Sequence, residues 1–448
     1  MMKSEVFTFP RPGGEVQRVQ LVRPETWAQL EFLPLSYDDG ALECFAHIYR
    51  QYLVPAQPWI FGNMVMFRLP EGFVPNVPMR SSRYGVLSDP LTAAAVALKE
   101  GVSIHGGKPV FRDAHTKTLW QALQQENCIR IVSGKLPVTT IIPVGNMPGF
   151  LTKTEPNAKC KVNAPFFIMD RFDCATVYDH IGTPLGLRVK DGIVENPPLF
   201  GREALLVRRD GIVEITEPDI RDMALEIGGQ RYRHGENCMI HTRPDRNRTP
   251  RSQKQQLIIV GDRVVAVKEG GSVPIPASGF VLSPTDSCGA KPGDAVIYRG
   301  MEDVVWGIQV GNSIVRNGVG TDRFISRFYN IRALERVPFP PSLYPLNFYR
   351  ARAARIALGA DAEGKPMLLW AEGAAKQGHV PGEDSCGATM ADMVRICTEL
   401  GMVYGIHLDG GGSAQILLQN RRQLKMSDRQ LPDFDEAERP IPLGLIVR

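Results

Sequence analysis

From about residue 160 onward, short runs of aliphatic and β-branched residues are separated by tight turns that contain glycine. Three of these turns are Asp191-Gly192, Asp210-Gly211 and Gly261-Asp262, and each lies between two apolar runs. Such pairs favour the backbone conformations of hairpin turns, so each pattern predicts two antiparallel strands. A fourth hairpin is predicted around residues 361–364. Consecutive hairpins favour an α+β fold with a largely antiparallel β-sheet core and flanking helices over a doubly wound parallel sheet.

Composition indicates a folded globular chain and limits its partners. The 448 residues are 43% hydrophobic and 22% charged, and their 43 Gly and 35 Pro follow no collagen-like period. The net charge of +4 is too small for a general attraction to nucleic acid or membranes, so we expect neither as a partner. The longest uncharged stretch, Leu136–Thr152, contains three prolines and is not typical of a spanning helix. Nothing in the sequence predicts the oligomeric state.

The eight cysteines are scattered and form no C-x-x-C pair, which argues against a zinc site or a thioredoxin-like motif. We interpret them as reduced and mostly buried thiols, as expected in a reducing compartment. Glu5 and two prolines interrupt the first 14 residues before an apolar run develops, so no signal peptide is predicted. These observations predict a cytoplasmic protein, and no cofactor is expected.

The chain is predicted to divide near residue 155. Residues 1–155 mix two helices with proline-rich connections and form an N-terminal accessory region of unknown role. Ser88 is predicted to cap a helix that includes Leu91–Lys99, and a second helix is predicted over Thr116–Gln125. Residues 156–448 contain the predicted hairpins and form the second domain.

The stretch that is most informative about function begins with a helix and ends in a glycine-rich turn. Thr389 and Asp392 predict a capping-box helix start, and the predicted strand Val403–Leu408 leads into Asp409-Gly410-Gly411-Gly412-Ser413. Three consecutive glycines are favoured where φ must be positive or where a ligand approaches the main chain. The amides and the serine hydroxyl would form an anion cradle beside the Asp409 carboxylate. Alternatively, this is a tight turn that Asp409 caps.

The Asp409–Ser413 stretch after an apolar strand resembles the signature of the phosphodiester glycosidase family. Other stretches that resemble the family occur in the same order as in its members: Val162–Phe167, Ile275–Ser283, Arg355–Gly359, Ser385–Thr389 and Glu438–Ile441. The resemblance covers about residues 160–448. It implies a phosphodiester glycosidase-like catalytic domain over residues 156–448. It also implies a hydrolase that cleaves a sugar 1-phosphodiester, with N-acetylglucosamine as one candidate sugar.

The resemblance also assigns candidate site residues. The candidate catalytic residues are Asp409, Glu372 and Arg355, where a carboxylate would attack the sugar carbon, activate water or stabilise an oxocarbenium-like centre. The candidate substrate-binding residues are Asn163, Thr389, Gly410, Gly411, Gly412, Ser413 and Arg439. Arginine donors and backbone amides would stabilise the phosphate, which is already a good leaving group.

Three departures from the family pattern put the identity of the substrate in question. Ala164 and Pro165 follow Asn163 where the family resembles Asn-Gly-Gly, and Ile356 stands where the family usually has threonine. Glu372-Gly373-Ala374 replaces a common Asp-Gly-Arg, so that a carboxylate is kept and a guanidinium is lost.

Each candidate also has a structural interpretation that the sequence leaves open. Arg355 or Arg439 would form an ion pair, Thr389 would only cap its helix, and Asn163 would only bridge backbone groups. His407 is expected to lie in the core or the sheet. The altered segments at Asn163 and Glu372 leave a second function open, that of a non-catalytic carbohydrate- or phosphoglycan-binding protein that retains the fold. A third, weaker hypothesis places Ca²⁺ between Asp409 and Glu372, which no ligand pattern supports.

Basic residues are concentrated between residues 231 and 254. They are Arg231, Arg233, Arg243, Arg246, Arg248, Arg251 and Lys254. This segment is predicted to be a solvated loop or a positively charged wall that steers a phosphodiester.

Overall fold

The structure is a computed structural model. It describes residues 3–35, 38, 40–50, 62–73, 80–81, 83–87, 89–145, 149–169, 171, 173–174, 176–199, 202–243, 245–321, 351–374, 380–425 and 438–448.

Four α-helices lie within these residues: α1 (Gly40–Ile48), α2 (Pro90–Gly101), α3 (Ala114–Gln125) and α4 (Met390–Glu399). Helices α2 and α3 confirm the two predicted N-terminal helices, but the cap of α2 is Asp89, whose carboxylate accepts hydrogen bonds from the amides of Leu91 and Thr92. The predicted cap, Ser88, lies outside the described residues. The predicted capping box of α4 is present, with reciprocal hydrogen bonds between Thr389 and Asp392.

Short β-strands account for most of the remaining regular structure. The strands up to residue 216 are β1 (Lys3–Pro10), β2 (Val16–Arg23), β3 (Leu30–Pro34), β4 (Gly62–Phe67), β5 (Arg80–Ser81), β6 (Gly85–Leu87), β7 (Val102–His105), β8 (Lys108–Phe111), β9 (Ile129–Val132), β10 (Leu136–Pro143), β11 (Cys160–Asn163), β12 (Arg188–Lys190), β13 (Ile193–Asn196), β14 (Ala204–Arg208) and β15 (Val213–Thr216).

The later strands are β16 (Ala224–Ile227), β17 (Gln230–Arg233), β18 (Cys238–His241), β19 (Ser252–Val260), β20 (Arg263–Gly271), β21 (Gly279–Pro284), β22 (Val296–Arg299), β23 (Val304–Gln309), β24 (Ser313–Arg316), β25 (Val319–Gly320), β26 (Arg355–Ala360), β27 (Pro366–Ala371), β28 (Tyr404–His407), β29 (Ile416–Leu418), β30 (Arg421–Arg422) and β31 (Leu443–Val447).

The predicted hairpins are present. Strands β12 and β13 pair around Asp191-Gly192, β14 and β15 around Asp210-Gly211, and β19 and β20 around Gly261-Asp262. Strands β26 and β27 form the fourth hairpin, which leaves Glu372 directly after a strand end. Among the described strand pairs, all are antiparallel except β4 with β10, so the predicted antiparallel character is confirmed.

Two sheets matter for the site, and both combine N-terminal with C-terminal strands. Sheet A has the strand order β1-β2-β27-β26-β28-β24-β25, and sheet B has the order β3-β31-β11-β29-β30. Val19 of β2 pairs with Ala371 of β27, and Leu30 of β3 pairs with Val447 of β31. Strand pairing therefore crosses the boundary that was predicted near residue 155, because residues 3–34 add three strands to these sheets.

Two hydrophobic clusters cover the opposite faces of sheet A. The central core joins Ile356, Leu358 and Trp370 of sheet A to residues of sheet B such as Val162 and Leu445. The second cluster joins Ala357 and Leu369 of the same strands to α4, through Met390, Met393 and Cys397. The methionine and cysteine side of α4 is thus core. No helix in the described part of the chain is long and apolar enough to cross a membrane.

Candidate active site

The three candidate catalytic residues lie at one end of sheet A. Strand β26 begins at Arg355, which pairs with Ala371 at the end of β27. Glu372 is the next residue after Ala371, so it lies just beyond this pair at the same end of the sheet. Strand β28 ends at His407, which pairs with Ala357, and Asp409 follows two residues later. Antiparallel alternation of strand directions brings these three chain positions to the same edge because β26 runs opposite to both of its neighbours.

The glycine loop connects sheet A to sheet B at this end. Gly411–Ser413 form a single 3₁₀ turn, and Gly411 has a φ of +59°, which favours glycine. A Cβ atom at Gly410 would lie 2.8 Å from the Ala354 carbonyl oxygen, so a side chain does not fit there. A Cβ atom at Gly411 would have no heavy atom within 4 Å. The loop is therefore packed tightly at Gly410 and open at Gly411.

Most of the loop amides that were predicted to cradle an anion are used within the protein. The Gly410 amide donates to Asp409 Oδ1 at 2.9 Å, and the Gly411 amide donates to the Ala354 carbonyl at 2.8 Å. The Ser413 amide donates to the Gly410 carbonyl at 3.2 Å. Of these four amides, only that of Gly412 lacks an acceptor among the described residues. The four-amide cradle expected from the sequence is wrong for this conformation, because the turn satisfies its own donors.

Asn163 fastens both ends of the glycine loop. Its side-chain nitrogen donates to the Asp409 carbonyl oxygen at 2.7 Å, and its side-chain oxygen accepts from the Gln415 amide at 2.9 Å. The Asp409 amide in turn donates to the Ala164 carbonyl at 3.1 Å. Asn163 is buried, with 1% of its surface exposed. The geometry therefore matches the alternative that Asn163 bridges backbone groups, and it does so at the loop that carries Asp409.

Arg355 is completely buried and packs on the α4 side of sheet A. Its Nε donates to the Ala388 carbonyl at 3.2 Å, and one of its terminal nitrogens donates to the Ala351 carbonyl at 2.9 Å. The first donor holds the segment that precedes α4 and the second holds the segment that precedes β26, whereas both were predicted to bind phosphate oxygens. The Arg355 Cα would lie 3.7 Å from a Cβ atom built on Gly410, so the backbone of Arg355 packs against the loop.

His407 lies beneath the same loop, in the core as expected. Its Nε2 atom would be 3.4 Å from a Cβ atom built on Gly410. Burial lowers the pKa of His407 well below its ordinary value of 6.5, and the positive charges of Arg355 and Arg202 lower it further. The imidazole beneath the loop is therefore neutral, and two guanidinium groups act on it. Arg202 is 3% exposed and was missed from the sequence, because no recognisable motif surrounds it.

Glu372 is fully buried on the other face of sheet A. Its Oε1 accepts a hydrogen bond from the Lys425 amide at 2.7 Å, and its Oε2 lies 3.8 Å from the Arg18 guanidinium. The chain next to Lys425 contributes Leu424 to the central core. The contacts of Asp409 with the chain at Asn163 are on this same side. The structure thus places Glu372 and Asp409 at one end of the layer between sheets A and B, with Arg355 behind that layer.

The two remaining candidates have structural contacts. The Thr389 hydroxyl accepts from the Asp392 amide at 3.1 Å and donates to the Asp392 carboxylate at 2.9 Å, which is the predicted helix cap. A terminal nitrogen of Arg439 lies 3.7 Å from the sulfur of Met169. Its neighbour Glu438 pairs with Arg422 at 2.8 Å. The other acidic residues before Arg439, at positions 433, 435 and 436, lie outside the described residues.

The basic segment after Arg231 belongs to other sheets. It covers β17, β18 and the beginning of β19. Arg231 and Arg233 are exposed on β17, whereas Arg243 donates to Asn247 at 2.6 Å and Arg248 is hydrogen-bonded to Ser272. The structure therefore gives this segment more strand than the loop that was predicted. Within the described ranges, no group of three or more His, Cys, Asp and Glu side chains is arranged to hold a metal ion.

The family model of the phosphodiester glycosidases matches residues 248–448. This part of the chain is phosphodiester glycosidase-like. The match confirms the resemblance inferred from the glycine loop, and it contains every predicted site residue except Asn163. The family match begins at residue 248, whereas the sequence motifs suggested a beginning near residue 160. No curated protein matches the sequence.

Solved structures with similarity to the chain share little sequence with it. They include a Synechocystis protein (14% identity, TM-score 0.43), a Burkholderia pseudomallei protein (15%, 0.41) and the zebrafish N-acetylglucosamine-1-phosphodiester alpha-N-acetylglucosaminidase catalytic domain, auto-inhibited by its pro-peptide (11%, 0.38). Each similarity covers 100% of this chain, and the covered shares of the other chains are 62%, 97% and 83% respectively. The chain thus spans less than two thirds of the Synechocystis protein.

The positions that depart from the family pattern are buried at the site. Ala164 is fully buried, and its carbonyl accepts the Asp409 amide. Ile356 is also fully buried and belongs to the central core. These two of the three departures replace a flexible or polar position by an apolar one, and neither removes a carboxylate.

Proposed function

We propose that the protein is a hydrolase that cleaves the bond between C1 of a sugar and the phosphodiester oxygen. The observation that supports this proposal most strongly is the position of the Asp409–Ser413 loop within the family-matched region, over His407, an imidazole on which the charges of the buried Arg355 and Arg202 act. Water adds to C1, the C1–O bond breaks, and the products are a free sugar and a phosphate monoester. Because that monoester is a good leaving group, charge stabilisation contributes more than strong acid catalysis.

Asp409 is the carboxylate that faces the sugar in this proposal. It is partly exposed at a strand end, and its backbone is fastened on both sides, by Asn163 and Ala164. A carboxylate on such a rigid support can activate water or stabilise positive charge at C1 without reorganisation. Glu372, at the end of β27, is the second carboxylate, and its hydrogen bond to the Lys425 amide orients it.

The phosphate is stabilised mainly by charge in this proposal. Arg355 acts through its positive charge, since its Nε and one terminal nitrogen already donate hydrogen bonds to carbonyl oxygens. The Gly412 amide contributes a neutral donor at the loop. A low-dielectric surrounding strengthens the field of both buried arginines at the leaving group.

Hydrolysis of a panel of sugar 1-phosphodiesters, led by an α-N-acetylglucosaminyl phosphodiester, tests the proposal. The wild-type chain is compared with Asp409→Asn, Glu372→Gln and the control Glu363→Gln, an exposed carboxylate in the turn between β26 and β27. We expect loss of turnover by at least about 100-fold in Asp409→Asn, as for removal of a catalytic acid–base or charge-stabilising group, and no loss in Glu363→Gln.

The alternative of a non-catalytic phosphoglycan-binding protein gives a different result in the same experiment. Tight binding of the panel without release of phosphate monoester by the wild-type chain would favour it. Equal turnover by wild type and Asp409→Asn would instead exclude Asp409 as a catalytic residue. Circular dichroism of every variant ensures that the fold is intact in each comparison.

A further inference from the structure

Arg18 belongs to the N-terminal hairpin, yet it lies beside the candidate site. Its carbonyl accepts the Glu372 amide at 2.9 Å, and its amide donates to the Ser385 hydroxyl at 3.3 Å. Val19, the next residue, forms one row across sheet A with Ala371 and Arg355. The Arg18 backbone is therefore fixed on both sides at the end of the sheet that carries Glu372.

The guanidinium of Arg18 is held in place by a neighbouring charge, but the residues that the structure describes do not use its hydrogen-bond donors. It lies 3.8 Å from Glu372 Oε2, which is a Coulombic contact that is longer than a hydrogen bond. Its N–H groups make no hydrogen bond to any residue in the described part of the chain. The Arg18 side chain is 31% exposed, whereas the Glu372 side chain is completely buried. The buried Glu372 carboxylate thus lies beside a partly exposed guanidinium, whose N–H donors are accessible at this end of sheet A.

Such a fork suits the oxygen atoms of a phosphate. Guanidinium donors bind phosphate oxygens in a planar, often bidentate geometry, and preorganisation reduces the entropy lost on binding. The other arginine of the site, Arg355, already donates to two carbonyl oxygens, so Arg18 supplies what Arg355 does not. The local sequence Glu372-Gly373-Ala374 contains no basic residue, and the cation beside Glu372 comes from a strand more than 350 positions earlier.

We propose that Arg18 is a substrate-binding residue that recognises the phosphodiester group, so that the N-terminal hairpin is part of the site. This inference rests on the proposed function for its substrate, but it concerns phosphate recognition and not the cleavage step. It also gives residues 3–23 a role in specificity. The hairpin carries this role because β2 lies next to β27 in sheet A.

Arg23 offers a closely matched control on the same strand. It lies at the opposite end of β2, its guanidinium is 3.7 Å from the Asp361 carboxylate, and its side chain is 34% exposed. Because Arg23 also donates a hydrogen bond to the Leu400 carbonyl at 3.0 Å, a general loss of sheet stability would be at least as large in Arg23→Ala as in Arg18→Ala. A loss of phosphate recognition would affect only Arg18→Ala.

The experiment measures dissociation constants by calorimetry for inorganic phosphate and N-acetylglucosamine 1-phosphate, together with KM and kcat for the phosphodiester. We expect Arg18→Ala to weaken the binding of both probes. Both dissociation constants and KM should rise by about tenfold or more, with a smaller change in kcat. Arg18→Lys should recover part of the affinity because it keeps the charge. Arg23→Ala should match the wild type.

The outcomes separate this inference from the proposed function. Phosphate binding that depends on Arg18, without any turnover by the wild type, would support the inference and contradict the hydrolase. Turnover with unchanged KM and phosphate affinity in Arg18→Ala would overturn the inference alone. An equal loss in Arg23→Ala, or a wild-type chain that binds neither probe, would also overturn it.

Discussion

The side-chain amide of Asn163 donates a 2.7 Å hydrogen bond to the Asp409 carbonyl oxygen, across 246 positions of sequence. Since its oxygen also accepts the Gln415 amide, one buried side chain holds both ends of the glycine loop. We expect Asn163→Ala to lower the free energy of unfolding by about 1–3 kcal/mol, because buried backbone groups lose their partners. Urea unfolding measures this change, and kcat should fall with it because Asp409 loses its support.

Asn237 provides the control for this prediction. It also bridges backbone groups, the Arg231 carbonyl and the Arg233 amide, but it is exposed. Water can replace its hydrogen bonds, so Asn237→Ala should change stability less and leave kcat unaltered. Equal effects of the two substitutions would show that Asn163 has no special role at the loop.

Adjacent glycines of the loop should respond differently to alanine. Gly410→Ala places a Cβ atom 2.8 Å from the Ala354 carbonyl oxygen, so the backbone must move. The Cβ atom of Gly411→Ala would lie in open space, but an alanine there must keep a φ of +59°. That backbone conformation costs a residue with a side chain about 1–2 kcal/mol. Chemical denaturation should therefore show a greater loss of stability for Gly410→Ala. The opposite order would contradict the packing of the loop described above.

Local sequence patterns were sufficient to predict the hairpins, the capping box of α4 and the strand that leads to Asp409. Asp-Gly pairs and Thr389 with Asp392 act within a few residues, so their geometry is encoded nearby. The pairing of β2 with β27 was not predicted, because it depends on contacts between residues hundreds of positions apart. The supposed boundary at residue 155 reflected composition, which does not report such pairing.

The site was predicted in part for the same reason. Asp409 and Glu372 became candidates because strand ends and glycine runs are visible in sequence. The hydrogen bonds of the Gly410 and Gly411 amides could not be anticipated, since their acceptors depend on the three-dimensional path of the turn. Arg18 and Arg202 have no motif around them, and only the folded sheets show that they lie near the site.

Buried His407 should make stability depend on pH. Its pKa is lowered in the folded state, so the unfolded chain binds a proton more readily, and folding loses stability as the pH falls below about 6.5. One such group contributes at most about 1.4 kcal/mol per pH unit. Urea unfolding between pH 5 and 7 should show a smaller slope for His407→Gln than for the wild type. The exposed His105 is the control, and His105→Gln should retain the wild-type slope.

Thr389 should act through helix capping. Thr389→Ala removes the hydroxyl that accepts the hydrogen bond of the Asp392 amide, so the free energy of unfolding should fall by about 1 kcal/mol. Thr389→Ser retains the hydroxyl and should retain this stability. We expect KM to change little in either variant, because the hydroxyl proton is already donated to Asp392. Asp113→Ala removes the cap of α3 and should produce a similar thermal shift. A large increase in KM for Thr389→Ala that is absent in Thr389→Ser would instead indicate that the hydroxyl contacts the substrate.

The spacing of the strands that precede the two carboxylates predicts the stereochemical result of hydrolysis. Strand β26 separates β27, which precedes Glu372, from β28, which precedes Asp409. Two strand spacings of about 4.8 Å place the ends of β27 and β28 about 10 Å apart. Inverting glycosidases hold their carboxyl groups about 6.5–9.5 Å apart to admit water, whereas retaining enzymes hold them at about 5–5.5 Å. Because this backbone spacing is closer to the separation in inverting enzymes than to that in retaining enzymes, we expect an α-linked phosphodiester to release the β-anomer of the sugar first, as observed by proton NMR before mutarotation. Initial release of the α-anomer would show that a nucleophilic carboxylate reaches C1, and the spacing argument would then be wrong.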